Sequence, residues 1–443
     1  VRAVTEHRPT PPWVFFFTGT TYGVPGAFTG VLMPYLARRA HIQLDKIGWF
    51  VTLLFVPTFF QFLYAPVVDF GMRRKHWLIT LAFLGAGCLF IACQMSLPDH
   101  LVAFLAFAFI AQVFSGLVGS CNGGLMASGM TDVQRGQAGG WYNAGNLAGG
   151  GIAATIAALM TADGYTTLAV GGVLCAMMIL PACVALVIDE PLRVNEGTVV
   201  EAIGKLIHEV KDVLWNKAGI TGILLCISPV GTAALANYFS GIAQDYVTHD
   251  LAGQLAKLPP DAAAKLVDQH VSHLIGIVSG LVGQLVTAGG AVAGGFICDR
   301  TNRRAMYLVS GVLTAAVGVA MALSPASETT FIYGGLTYAL VTGFCYAAFT
   351  ATVLETIGKD PKSASTRYTL FTAAGNIAIA YVGFVDSRFE ANHGVAGVVS
   401  SDAALNIAGV IVLGLVFWKL GSFGKTRHVP EPPVPTAKIV DRE

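Results

Sequence analysis

The sequence predicts an all-α, polytopic membrane protein with 12 transmembrane helices in two pseudo-symmetric six-helix bundles. Three observations carry this reading. First, 54% of the 443 residues are hydrophobic and only 12% are charged, about half the charged fraction of a soluble domain. Second, ionisable residues come in bursts between apolar runs close to the ~20 residues that cross a bilayer as a helix. Helix is the form lipid permits, because it satisfies its own N–H and C=O groups; the short alternating segments of a closed β-barrel are missing. Third, Lys and Arg gather on alternate loops in the way an even number of spans requires.

Taken in order, the first six spans run approximately Trp13–Leu36, Ile47–Val68, Trp77–Met95, Leu101–Ala127, Gly139–Met160 and Tyr165–Ile188. The polar start, with Pro9, Pro11 and Pro12, leads into a run too long for a cleavable leader. Pro25 and Pro57 stand inside spans one and two, where each removes a backbone donor and bends or breaks its helix. A polar stretch, Asp189–Lys217, follows. Within it Thr198–Leu214 puts Val199, Ile203, Leu206, Ile207, Val210 and Leu214 on one face, an amphipathic helix lying along the membrane surface.

The second six spans run approximately Ala218–Gln244, Leu274–Ile297, Ala305–Leu323, Thr330–Leu354, Tyr368–Val385 and Ala403–Phe417. Pro229 stands inside the seventh. Between spans seven and eight, Asp261–His270 is a short helix candidate opened by its aspartate. Residues 1–188 therefore form one bundle, 189–217 a linker, 218–423 the second bundle and 424–443 a tail.

With both termini inside, 21 of the 27 Lys and Arg residues fall on inside segments. Arg38, Arg39, Lys46, Lys257, Lys265 and Arg388 are the six outside. That bias sets both termini in the cytoplasm, and an odd span count would scramble it. The halves also repeat. Ala144-Gly145-Asn146 returns as Ala374-Gly375-Asn376, and Asp69 returns as Asp299, both at an offset of 230. Two matches at one offset, at equivalent points of each half, make duplication the better account.

Gly295-Phe296-Ile297-Cys298-Asp299-Arg300-Thr301-Asn302-Arg303-Arg304 resembles the G-x-x-x-D-R/K-x-G-R/K-R/K signature of the major facilitator superfamily, with Asn302 at the second glycine. Ala65–Lys75 is a looser copy, with Ala65 for glycine and Phe70 for a basic residue. Carboxylate and guanidinium at a membrane edge form charge-assisted hydrogen bonds that lock helix ends together. The resemblance implies a cytoplasmic latch of Asp69, Arg73, Arg74, Asp299, Arg300, Arg303 and Arg304. Gly19–Gly26, Ile47–Phe50, Gln61–Asp69 and Ser363–Leu370 further resemble the branch holding muropeptide permeases, acetyl-coenzyme A transporters and some siderophore importers. Gln61 stands where that branch usually has a basic residue, and Ser120, Cys121 and Asn122 where it has acidic ones. Anionic cargo is disfavoured by the lost cation.

Polar side chains inside spans are costly and point to purpose. Thr18, Tyr22, Pro25 and Thr29 share a face of span one; Gln112, Ser115, Gly119 and Asn122 share one of span four. Tyr338, Thr342, Tyr346 and Thr350 share a face of span ten, and Thr369, Thr372 and Asn376 one of span eleven. The resemblance implies a central cavity lined mainly by helices one, four, seven and ten. Tyr22, Gln61, Gln112, Asn122, Asn143, Asn146, Asn237, Tyr238, Gln284, Tyr346 and Asn376 are the candidate binding residues, suited to orient a polar solute. The same side chains also suit tying helices to one another. Gly145-x-x-x-Gly149 and Gly276-x-x-x-Gly280 permit close helix approach.

No Asp, Glu, Lys or Arg is expected near the middle of any span; Asp245 and Glu355 lie toward span ends. Proton coupling and facilitated diffusion both remain open. The eight cysteines sit mostly in apolar runs without C-x-x-C spacing, as packing residues do. His270-x-x-His273 has ligand spacing but reads as an exposed helix end. No cofactor and no metal site is expected. The expected protein is a secondary transporter in a bacterial inner membrane. It moves a small polar organic solute by alternating access: a muropeptide, a peptide-like metabolite or a siderophore. Its partners are that solute, with or without a coupling proton, and membrane lipid; nothing points to nucleic acid, and oligomeric state is open. A non-transporting sensor or solute-binding protein on the same scaffold is the alternative. An enzyme would need a catalytic constellation that no carboxylate or histidine spacing supplies.

Overall fold

The computed structural model describes residues 10–190, 222, 224–225, 227–357 and 364–419, and among them there is no β-strand. The linker helix read at Thr198–Leu214, most of the first turns of span seven and the tail 424–443 lie outside the described residues. Helix α1 comprises Val14–Ala27, a π-helical turn at Phe28–Leu32 and Met33–Arg39. Helix α2 runs Leu44–Phe59 and bends by 44° into Gln61–Asp69. Helices α3 (Arg74–Gln94), α4 (Leu101–Gly129), α5 (Asp132–Ala162) and α6 (Thr167–Val187) complete the first bundle. In the second, α7 comprises Ala234–Tyr238 and Phe239–Asp250. Helices α8 (Pro260–Arg300), α9 (Arg303–Leu323) and α10 (Glu328–Ile357) follow. Ala364–Lys419 is two helices, α11 and α12, divided where Gly394 takes a φ of +62°.

Three of the irregularities sit at the in-span prolines. The π turn of α1 begins three residues after Pro25, and the bend of α2 lies three after Pro57, whose carbonyl accepts the Tyr64 hydroxyl at 2.9 Å. Before α7 the chain is non-helical from 227 to 233, around Pro229, with left-handed Gly231 and Ala233. Loss of a ladder hydrogen bond at proline is the common cause. Non-helical backbone at membrane depth persists only where protein or a cavity surrounds it.

The packing repeats with a shift of six helices. Across the halves α5 packs on α8 and α10, and α11 packs on α2 and α4. One apolar cluster, with Phe28, Leu54, Leu89, Phe104 and Leu174, belongs to the first bundle. A second, with Phe239, Tyr246, Phe331 and Val398, belongs to the other. A third joins Val14, Leu125 and Tyr142 to Tyr307, Leu354 and Tyr368, so the halves share one core at the end carrying the basic loops.

Three expectations are corrected here. The external helix starts at Pro260 and continues to Val278, breaking only at Ser279–Gly280 before the rest of α8. Gly276 faces open space and Gly280 sits in that break, so this pair is not a helix contact; Gly145 and Gly149 do press on Phe16 and Thr20 of α1. Finally, α11 and α12 overrun their predicted ends at Val385 and Ala403, and the extra turns bring two carboxylates inside the bundle. Asp386 and Asp402 are both fully buried, one residue beyond the predicted bounds and toward the helix ends that meet at Gly394.

Candidate functional site

At the basic end each half holds the other by an aspartate. Asp69 Oδ1 accepts from Arg74 Nε at 3.0 Å and Nη2 at 2.5 Å. Its Oδ2 accepts from the Thr366 backbone N–H at 3.1 Å and hydroxyl at 2.8 Å. Thr366 lies in the first turn of α11, where N–H groups have no partner within the helix and the helix dipole favours an anion. Asp299 repeats the arrangement at the helical start of α5. It accepts from the N–H groups of Gly136 at 2.7 Å and Gln137 at 2.8 Å, and from Arg303 at 2.8 Å.

Of the other predicted latch residues, Arg304 lies 3.5 Å from Glu355 and over the Phe417 ring. Arg303 also donates to the Asp132 carbonyl. Arg73 and Arg300 are exposed, and among the described residues neither bonds Asp69 or Asp299. Two participants were missed. Buried Arg135 donates to the carbonyls of Leu354 and Ala127, each at 3.1 Å, spanning the halves. Glu190 accepts the Arg74 and Lys75 N–H groups at the start of α3. Its sequence signal is an Asp189-Glu190 pair before a proline at the end of span six, which spacing alone does not distinguish from a solvated turn.

Between the halves lies a cavity of about 250 Å³. Its lining includes Tyr22, Gln61, Asn143, Asn146, Tyr346 and Asn376 from the predicted set. Tyr142, Tyr307, Tyr368, Phe349 and Thr372 join them, with Ser228, Gly231 and Thr232 from the broken stretch before α7. No charged side chain is among the described lining residues. Tyr22 stacks on Tyr142 with centroids 5.9 Å apart, and Gly123 of α4 packs so closely under Tyr368 that a Cβ there would fall 1.9 Å from its ring. Two linings also bridge the halves: Asn143 donates to Thr350 at 3.0 Å, and Asn376 to the Thr58 carbonyl at 3.4 Å.

The remaining predicted residues are not brought to the cavity. Gln112 donates to the Pro25 carbonyl at 3.0 Å and the Thr29 hydroxyl at 2.7 Å. Asn122 donates to the Thr18 carbonyl at 3.1 Å. The polar face of α4 is therefore a seam with α1, and only Gly119 of that face reaches the lining. Tyr238 donates to the Gly383 carbonyl at 2.6 Å, and Gln284 lies against Gly151 between α5 and α8. The side chain of Asn237 lies outside the described residues. Helices α5 and α11 contribute more to the lining than α4 does, because glycine-bearing α5 and the first turns of α11 are the elements that cross between halves. Even Gln61 is tethered, donating to the Gly116 carbonyl at 2.6 Å.

Every hydrogen bond between the halves among the described residues lies between the basic end and the level of Thr58 and Asn376. Those two residues are ~16–18 Å along their helices from that end. The cavity is thus closed toward the basic loops and unbridged by hydrogen bonds on the far side. Among the described residues no three His, Cys, Asp or Glu side chains converge for a metal.

Residues 14–383 match the model of the Major Facilitator Superfamily. The chain belongs to that superfamily. It is an integral membrane protein with the fold of secondary transporters. Solved superfamily structures share the fold at low identity. The human organic anion transporter MFSD10 (TETRAN) superposes with a TM-score of 0.64 at 14% identity, covering 92% of this chain and 100% of that one. The E. coli fucose:proton symporter FucP gives 0.62 at 14% identity, covering 92% and 99%. The proton:xylose symporter XylE gives 0.60 at 13% identity, covering 92% and 94%.

Proposed function

We propose that this superfamily member carries a small, uncharged polar organic solute across the membrane by alternating access. The observation behind the reading is the pairing of two closed latches at one end with a hydroxyl- and amide-lined cavity between the halves. Each latch joins groups from both halves, so it exists only while that end is shut. Such contacts bias which side is open. The Lys and Arg bias favours a cytoplasmic basic end, with both termini inside, as in a bacterial inner membrane; the structure is then the outward-facing state.

The lining supports a choice of solute chemistry. An anion or cation would meet no compensating charge among the described lining residues and would lose hydration they do not replace. A neutral solute bearing hydroxyls or amides finds donors and acceptors in Asn143, Asn146, Asn376 and Thr372, with tyrosine rings for its apolar faces. A volume of about 250 Å³ is below the ~300–1,000 Å³ typical of drug-sized ligands. A sugar-like or short peptide-like metabolite suits it better than an intact muropeptide or siderophore.

The test is a thermal-shift screen of purified protein against neutral sugars, amino sugars and short peptides, followed by uptake into proteoliposomes. A stabilising solute that is also exchanged supports the reading. A solute that binds and is never exchanged supports a sensor on the same scaffold instead.

A further inference from the structure

Away from the cavity, the second bundle holds two carboxylates that the transport reading has not used. Asp386 of α11 and Asp402 of α12 each stand eight residues from the turn at Gly394, ~12 Å along their helices, and both are fully buried. The Ser401 hydroxyl donates to Asp386 Oδ1 at 2.5 Å, which ties the first acid to the residue beside the second. Asp402 Oδ2 is approached by the Tyr338 hydroxyl and Asn406 Nδ2, each at a long 3.4 Å. Among the described residues neither Asp386 Oδ2 nor Asp402 Oδ1 has a well-formed hydrogen bond, although the Leu235 backbone N–H faces the Asp402 carboxylate.

No Lys, Arg or His among the described residues pairs with either acid. Arg388, the nearest cation in sequence, is exposed and stacks on the Phe384 ring at 5.2 Å. Among the described residues the other titratable groups facing the pair are Tyr338 from α10 and Tyr238 from α7, with Glu390, one turn along α11, beside Tyr238. None supplies positive charge. Two adjacent buried carboxylates without a cation, and with poorly filled lone pairs, do not both remain ionised.

The pair is also wired to the cavity. Asn406, one turn beyond Asp402, accepts the Gly231 N–H at 2.8 Å through Oδ1 while its Nδ2 reaches Asp402. Gly231 belongs to the broken stretch before α7 and lines the cavity.

We propose that Asp386 and Asp402 form a proton-binding site whose occupancy is communicated to the cavity wall through Asn406 and the broken stretch at Gly231. This deepens the transporter reading and rests on it for the meaning of the coupling. Binding adds one proton from the outer solution to a carboxylate oxygen, and release returns it, leaving one more negative charge on the pair. A newly charged Asp402 draws the Asn406 amide toward itself, and the carbonyl end of that amide loosens or shifts its hold on Gly231.

The test needs no known solute. Infrared difference spectra of the purified protein in lipid are recorded as pH is raised, with hydrogen exchange of the 227–233 segment followed over the same range. The wild type should lose a protonated-carboxyl band as pH rises, and Asp386→Asn and Asp402→Asn should each diminish that band. Tyr338→Phe, which keeps both acids, should move its frequency. Asn406→Ala should keep the band but abolish the pH response of the segment's exchange, after correction for intrinsic exchange. A band unchanged in both Asn variants overturns the site, and an unaltered segment response in Asn406→Ala overturns the link. Intact spectral behaviour in a protein that transports nothing would overturn the transporter reading while the site stands.

Discussion

Asp69 accepts both the backbone N–H and the hydroxyl of Thr366 in the opposite half. Adding 230 to the first number and subtracting 230 from the second gives Asp299 and Gly136, the acceptor and donor of the other latch. The offset first read from two short words is therefore also the symmetry of the contact. A duplication that keeps one aspartate at the same place in each copy produces two latches from one invention, each capping the helix start that the other half presents.

Asp299→Asn removes the charge facing the Gly136 and Gln137 N–H groups and Arg303. A charge-assisted bond contributes about 1.5–3 kcal/mol, so a loss of about 2 kcal/mol should raise the fraction open at the basic end roughly thirty-fold. Spin labels at exposed Arg73→Cys and Thr301→Cys should report a longer separation, with membrane insertion unchanged. The doubly substituted Asp69→Asn/Asp299→Asn protein should shift further still.

Gly123→Ala acts on the same equilibrium by sterics. A Cβ at 1.9 Å from the Tyr368 ring cannot be accommodated without moving α4 from α11. The closed end should be destabilised while the opposite state, in which these helices part, is spared. The same label pair should show the open population rising, and a lower melting temperature alone, with no change in distance, would contradict the assignment.

Cavity residues and seam residues should respond differently. Asn146→Ala and Thr372→Val should each weaken solute binding by about 1 kcal/mol, roughly five-fold, with little change in melting temperature. Gln112→Ala and Asn122→Ala should do the reverse, since each leaves α1 backbone or hydroxyl groups without a partner. Calorimetric affinity and thermal unfolding, measured on all four, separate the two roles.

Gly231→Ala tests the break before α7. The position has a φ of +65° and a Cβ there would fall 2.0 Å from Cys345 Sγ. An unfavourable backbone conformation alone costs on the order of 1–3 kcal/mol. The variant should lose thermal stability and solute affinity together, because this stretch is both strained and part of the cavity wall.

The span pattern, the loop charges and the repeat were legible because each follows from the low dielectric of lipid acting on composition. Partners across helix faces were not. Gln112 and Asn122 lie on a polar stripe that periodicity identifies, yet a stripe does not say whether it meets water or the backbone of α1. Asp386 and Asp402 were missed because charges end a hydropathy window, whereas the real helices continue to Gly394 and fold those charges inward. Arg135 was read as a loop cation, since its bond to the Leu354 carbonyl depends on a neighbour more than two hundred positions away. The break at Pro229 was anticipated as a kink, but its place in the cavity wall needed the second bundle's packing.

The most direct measurement is pulsed electron–electron resonance on two label pairs in lipid, one at each end of the molecule. Arg73→Cys with Thr301→Cys reports the basic end, and Gly48→Cys with Asn392→Cys reports the far end. The account predicts opposite shifts when Asp69→Asn/Asp299→Asn is introduced, the basic end lengthening as the far end shortens. A far-end distance that stays fixed, or that lengthens along with the basic end, would contradict alternating access about this cavity.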